Sequence, residues 1–134
     1  MHKLYTASTN EIEVSVTPEF INNEVFDKGN KLFLWRYFVK IKNNSAQTIQ
    51  IVKRYWKITH EDGSIQEIFG EGVVGKKPVL VPQLEFEYTS QVQLECSSAI
   101  MGGHYYAVKE NGEILQITIP NFSLDIPNTQ STIN

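Results

Sequence analysis

The chain has 134 residues, 41% hydrophobic and 20% charged, with a formal net charge of −3. That composition supplies a core for one domain and excludes global disorder, and the acidic balance argues against nucleic-acid binding, which needs a basic face to displace counterions from phosphates. A single cysteine, Cys96, excludes an internal disulfide and a multi-cysteine metal centre.

Met1 to about Thr9 is polar and unpatterned, so residues 1–9 are expected to be a loose N-terminus ahead of one domain spanning 10–127. The opening residues carry no apolar run suited to a signal sequence, and no stretch approaches the roughly 20 apolar residues that cross a bilayer. The expectation is a soluble cytoplasmic protein with no membrane partner. Ile12, Val14 and Val16 alternate with Glu11, Glu13 and Ser15, the period of a half-buried strand. Its edge is a candidate for pairing across a two-fold axis, which would give a homodimer. Trp35, Tyr37, Val39 and Ile41 alternate with Arg36, Phe38, Lys40 and Lys42 in a second, longer strand. A polar turn over 43–47 leads to a third, Thr48 to His60, with Val52, Trp56 and Ile58 expected inward and Lys53, Tyr55 and Lys57 outward.

Asp62-Gly63 and Asn111-Gly112 signal hairpins, because these residues accept the positive φ angles of tight turns. The first joins the third strand to Ile65–Phe69, and the second joins Tyr105–Lys109 to Ile114–Ile119. Leu84–Ser90 forms another strand after Pro82. Residues 128–134 are expected to be a flexible tail. With no sustained helical spacing anywhere, the pattern predicts an all-β chain of about seven to nine antiparallel strands in a fibronectin type III-like (immunoglobulin-like) sandwich.

Gly70-x-Gly72-x-x-Gly75 spells the dinucleotide fingerprint, and Gly70 with Gly75-Lys76 nearly spells a Walker A loop. Both motifs need a helix whose first amides receive the phosphates. Here Pro78 and Pro82 follow, and Lys77 stands where a magnesium-binding hydroxyl belongs, so both readings fail on context. Two readings stay open. Successive glycine amides at Gly70, Gly72 and Gly75, with Lys76 and Lys77, can cradle a pyrophosphate or another small anion; or the glycines only supply positive φ to a loop that Val73 and Val74 pin to the core.

His2, His60 and His104 have no metal-ligand spacing with one another or with Cys96, and His60 is expected in solvent at a hairpin mouth. No Gly-x-Ser-x-Gly elbow surrounds Ser90, Ser97 or Ser98. No catalytic residue, metal site or cofactor is therefore assigned. If the second and third strands pair as a hairpin, Arg36, Phe38, Lys40, Lys53, Tyr55 and Lys57 gather into a basic, aromatic surface for an acidic partner. An ordinary solvated sheet face is the alternative.

Several blocks occur in consistent order: Arg54-x-Trp56-x-Ile58-Thr59, Gly70-x-Gly72-Val73-Val74-Gly75-x-x-Pro78-x-Leu80, Phe86-x-Tyr88-Thr89-Ser90, Met101-x-Gly103-x-Tyr105 and Ile119-Pro120-x-Phe122-x-Leu124. In these blocks the chain resembles the ApaG (CorD-like) family from about Asn10 to Pro127. It departs from the family pattern at Lys77, at Gln83 and over Cys96–Ala99, where the family usually has Thr-Pro-x-Gly. The resemblance implies the same sandwich, an association with cobalt and magnesium homeostasis, and a protein-binding role, since ApaG-like domains serve as modules in F-box proteins. It supplies no catalytic residue. The leading expectation is a non-enzymatic module for an unidentified protein partner; the alternative is a small-ligand protein binding pyrophosphate, a nucleotide or a metal complex at 70–77.

Overall fold

A computed structural model describes residues 3–27 and 29–126, with the backbone alone described for 22–27 and 30. The expected tail at 128–134 and the first two residues lie outside these. The nine strands of the described chain are β1 (Tyr5–Thr9), β2 (Ile12–Asp27), β3 (Asn30–Asn43), β4 (Ile49–His60), β5 (Ile65–Glu71), β6 (Val79–Leu80), β7 (Glu85–Leu94), β8 (Ser98–Lys109) and β9 (Ile114–Asp125). They form two antiparallel sheets: β1-β2-β3-β7, and β5-β4-β8-β9 with β6 paired to β4. The all-β, fibronectin type III-like sandwich expected from the sequence is the fold observed.

The alternating patterns become the two inner faces. Val14, Val16, Trp35, Tyr37, Val39 and Ile41 face Ile51, Trp56, Ile58, Met101, Tyr105, Ile117 and Phe122, and all of them are buried. Burying each large side chain contributes roughly 1.5–3 kcal/mol. Aromatic contacts stitch the layers together: Tyr37 meets Trp56 edge-on at 5.4 Å, and Phe122 lies about 6 Å from Tyr5, Tyr37 and Trp56.

Several sequence expectations are corrected. Tyr5–Thr9, assigned to the loose terminus, pairs with Val16–Ile12 as a strand, its Tyr5 ring packing on Phe122. Ile12–Val16 is consequently central, bonded to β1 on one side and β3 on the other, so it offers no edge for a homodimer. The edges are β1 and β7 in one sheet, and β9 and the β5–β6 side of β4 in the other. The inward residue expected at Val52 is Ile51 instead, because a bulge between Ile51 and Lys53 shifts the alternation by one residue. At both predicted hairpins only glycine takes positive φ: Gly63 at 89° and Gly112 at 88° each close a three-residue loop.

The largest correction concerns β3 and β4. They do not form a hairpin but lie in different sheets. The 43–47 segment is a crossover organised by Asn43, whose side chain is fully buried. Its Nδ2 donates to Gln47 O at 2.7 Å and Leu80 O at 2.8 Å, and its Oδ1 accepts from Ser45 N at 2.9 Å. A buried amide satisfied in this way fixes the chain's passage from one layer to the other.

Candidate interaction surface

Splitting β3 from β4 also splits the basic, aromatic surface. Arg36, Phe38 and Lys40 project from the outer face of the four-stranded sheet, while Lys53, Tyr55 and Lys57 project from the outer face of the five-stranded sheet. The two triplets point away from each other across the sandwich.

On the four-stranded face the cations are neutralised. Arg36 lies directly across from Glu19 and forms an ion pair with it. Lys40 reaches Glu85 at 3.5 Å and Lys42 reaches the same carboxylate at 4.0 Å. The Arg36 guanidinium also covers the Phe38 ring at 5.5 Å.

The five-stranded face is arranged differently. Cross-strand register places Phe69, Tyr55 and His104 in one row over β5, β4 and β8. The Tyr55 ring sits 4.9 Å from Phe69 and 4.7 Å from His104, stacked on the latter. His104 Nε2 and the Tyr106 hydroxyl lie 2.9 Å apart. Burial against these rings holds the His104 imidazole below its ordinary pKa. Phe69 is 73% exposed, so the row is open to solvent at its β5 end.

Lys53 and Lys57 flank this row. Their cross-strand neighbours are Glu71 and Glu67, which would ordinarily pair with them. Both carboxylates are engaged elsewhere. Glu67 accepts the Tyr55 hydroxyl at 2.7 Å, a bond that raises the phenol's pKa, and Glu71 pairs with Lys77 at 3.3 Å. Lys53 and Lys57 therefore make no ion pair with any described residue. Beside Lys57, Gly102 and Gly103 line a shallow depression of about 340 Å³ bordered by Tyr55, Ile100 and Asn121. A Cβ at Gly103 would collide with the Tyr55 carbonyl oxygen, and one at Gly102 with Asn121 Oδ1.

The glycine loop is built as a support. Gly70 belongs to β5 opposite Arg54, and a Cβ there would strike the Arg54 guanidinium. Arg54 Nη1 donates at 2.9 Å to the carbonyls of both Glu71 and Gly72. Gly72 takes φ 61°, donates its amide to Val52 O at 2.8 Å, and has no room for a Cβ against the Lys76 carbonyl. Val73 and Lys76 exchange both backbone hydrogen bonds around Val74 and Gly75, at φ 43° and 78°. That is a tight primed turn. Val73 is buried as expected, whereas Val74, expected to share that anchoring, is half exposed at the turn tip. Three of the loop's amides, those of Gly72, Val73 and Lys76, already have internal acceptors. Lys77 lies on Glu71, while Lys76 is exposed.

Among the described residues no group of three or more His, Cys, Asp or Glu side chains is placed to hold a metal ion. No described helix is long and apolar enough to cross a membrane. The sequence reading missed Phe69, His104 and Tyr106 as members of the exposed row. Their signal was the outward parity of two separate strands, β5 and β8, visible only once β4 was placed between them.

Fold and surface together define a class: a small fibronectin type III-like sandwich whose unpaired chemistry lies on a flat sheet face. Residues 23–109 match the ApaG domain. Over 131 residues, 98% of this chain and 100% of each relative, the sequence is 42% identical to Protein ApaG of Agrobacterium fabrum and 43% identical to Protein ApaG of Brucella abortus. The crystal structure of a putative ApaA protein from Bordetella pertussis superposes with a TM-score of 0.80 at 37% identity, over 88% of this chain and 95% of that one. The chain belongs to the ApaG family.

Proposed function

We propose that this domain is a non-enzymatic protein-interaction module whose five-stranded face receives an acidic segment of a partner protein. The observation that carries this reading is the pair of unneutralised cations, Lys53 and Lys57, on either side of the exposed Phe69–Tyr55–His104 row. Rigid aromatic rings lose little conformational entropy on binding, and flanking cations steer carboxylates to them. The depression at Gly102-Gly103 gives one partner side chain a seat next to Lys57. On this reading an association with cobalt or magnesium homeostasis runs through the partner rather than through a metal site on the domain.

The test is selection of displayed peptides on the immobilised protein, followed by affinity measurement with the selected sequences. Acidic peptides carrying an apolar anchor are expected. The K53E/K57E double substitution and Tyr55→Ala should each weaken them at least tenfold, or by about 1.4 kcal/mol. Peptides that bind both variants as well as the parent protein would remove this face from consideration.

A further inference from the structure

The sequence placed His60 in solvent and gave Cys96 no partner, but the fold joins them. His60 ends β4, and Cys96 lies in the bend between β7 and β8. His60 Nδ1 is 3.0 Å from Cys96 Sγ. Both groups are held from behind. The His60 backbone amide donates to Ser64 O at 2.9 Å and its carbonyl accepts from Gly63 N at 2.9 Å. The Cys96 bend is fixed by Glu61 N to Ser98 O at 3.2 Å and Ile126 N to Ser97 O at 3.1 Å. The sulfur also lies 3.2 Å from the Ser98 carbonyl. The thiol proton thus has two acceptors in reach, the imidazole nitrogen and a carbonyl.

This pair stands on the wall of a cavity of about 460 Å³, whose lining also includes Asp62, Ser64, Gln66 and Glu95. Cys96 is half-buried, so its sulfur is sheltered yet within reach of a small molecule. Three carboxylates surround the pair. Asp62 sits on the His60 hairpin and is kept ionised by hydrogen bonds from the Ser64 hydroxyl and amide. Glu61 accepts from Ser97 Oγ at 3.3 Å, and Glu95 adjoins Cys96. No described Lys or Arg lines the cavity. Acidic surroundings repel anions, so they favour uncharged reactants.

We propose that Cys96 and His60 form a nucleophile–base pair, making Cys96 a site of oxidation to sulfenic acid by small neutral peroxides. A nucleophilic thiol within hydrogen-bond reach of an imidazole is the arrangement that such chemistry requires. His60 Nδ1 accepts the thiol proton as sulfur attacks one peroxide oxygen. The S–O bond forms while the O–O bond breaks, and the departing oxygen takes the proton from His60 and leaves as water or an alcohol. Sulfur is oxidised by two electrons to sulfenic acid and the peroxide is reduced by two, with the imidazole returned to its starting state.

The experiment uses the full chain and two probes. Alkylation by iodoacetamide is followed from pH 8 to pH 6, where an isolated thiol of ordinary pKa slows about 75-fold. The expected slowing for the folded protein is less than tenfold. His60→Gln should restore the steep profile, and Cys96→Ser should abolish labelling. Hydrogen peroxide followed by a sulfenic-acid trap should add one adduct at Cys96, reduced at least tenfold by His60→Gln. If that variant does not fold, the parent chain unfolded in urea serves as the comparison, and the folded chain should alkylate at least tenfold faster at pH 6. A steep profile in the folded protein, or a His60→Gln profile matching the parent's, overturns the proposal.

Discussion

On the four-stranded sheet Arg36 pairs with Glu19, and Lys40 and Lys42 share Glu85, whereas on the five-stranded sheet Lys53 and Lys57 stand beside Tyr55 with no ion pair to a described residue. Both faces have carboxylates in cross-strand register with their cations. What separates them is competition. A tyrosine hydroxyl takes Glu67 and the loop lysine takes Glu71, so the acids that register supplies are not free to neutralise Lys57 and Lys53. One face therefore satisfies itself and the other leaves charge available. Electrostatic character at a sheet surface follows from which partner each side chain holds more than from composition.

The comparison can be broken most forcefully at Gly103. Its close approach to the Tyr55 carbonyl is what lets β8 carry His104 against the Tyr55 ring. Gly103→Ala forces β4 and β8 apart and should cost about 3 kcal/mol in urea denaturation, near the upper end of ordinary overpacking. A loss below about 1 kcal/mol would show that the five-stranded face yields easily and is not a rigid platform.

A smaller effect sharpens the contrast from the other side. Arg36→Gln removes an ion pair between partly exposed side chains, for which about 1 kcal/mol or less is expected. Acidic peptides selected on the protein should bind this variant as they bind the parent, since its face lies across the sandwich from Tyr55. Weakened binding would mean that the four-stranded face takes part.

The smallest expected effect is a pH dependence at His104. Its folded-state pKa is depressed by burial, so the unfolded chain binds the proton more readily. Stability contributed by the neutral imidazole is then complete above the unfolded value near 6.5 and declines as pH falls through it toward the folded value. Thermal melts between pH 7.5 and pH 5.5 should show a decline that His104→Gln flattens. An unchanged slope in that variant would assign the pH response to other groups.

By itself the sequence determined the longer sheet-forming segments, both glycine hairpins and most of the core, because a period of two and positive-φ turn residues are local properties of the chain, but it missed Tyr5–Thr9 and Val79–Leu80 as strands. It also carried the reading that glycines 70, 72 and 75 lack a helix to serve a phosphate, since Pro78 and Pro82 follow directly. Whether the glycines serve a backbone purpose was left open there, and the reason for two of them, room for the Arg54 guanidinium and for the Lys76 carbonyl, is tertiary. Strand partnership was also out of reach. A polar 43–47 segment suits a hairpin turn and a crossover equally well, and the choice rests on Asn43 finding Leu80 O, thirty-seven residues away along the chain. That one choice placed β3 and β4 in different sheets, divided the expected basic surface in two, and assembled Phe69, Tyr55 and His104 from three strands. Contact between His60 and Cys96 has the same origin, because two connections far apart in sequence meet only when both sheets have closed on the shared core.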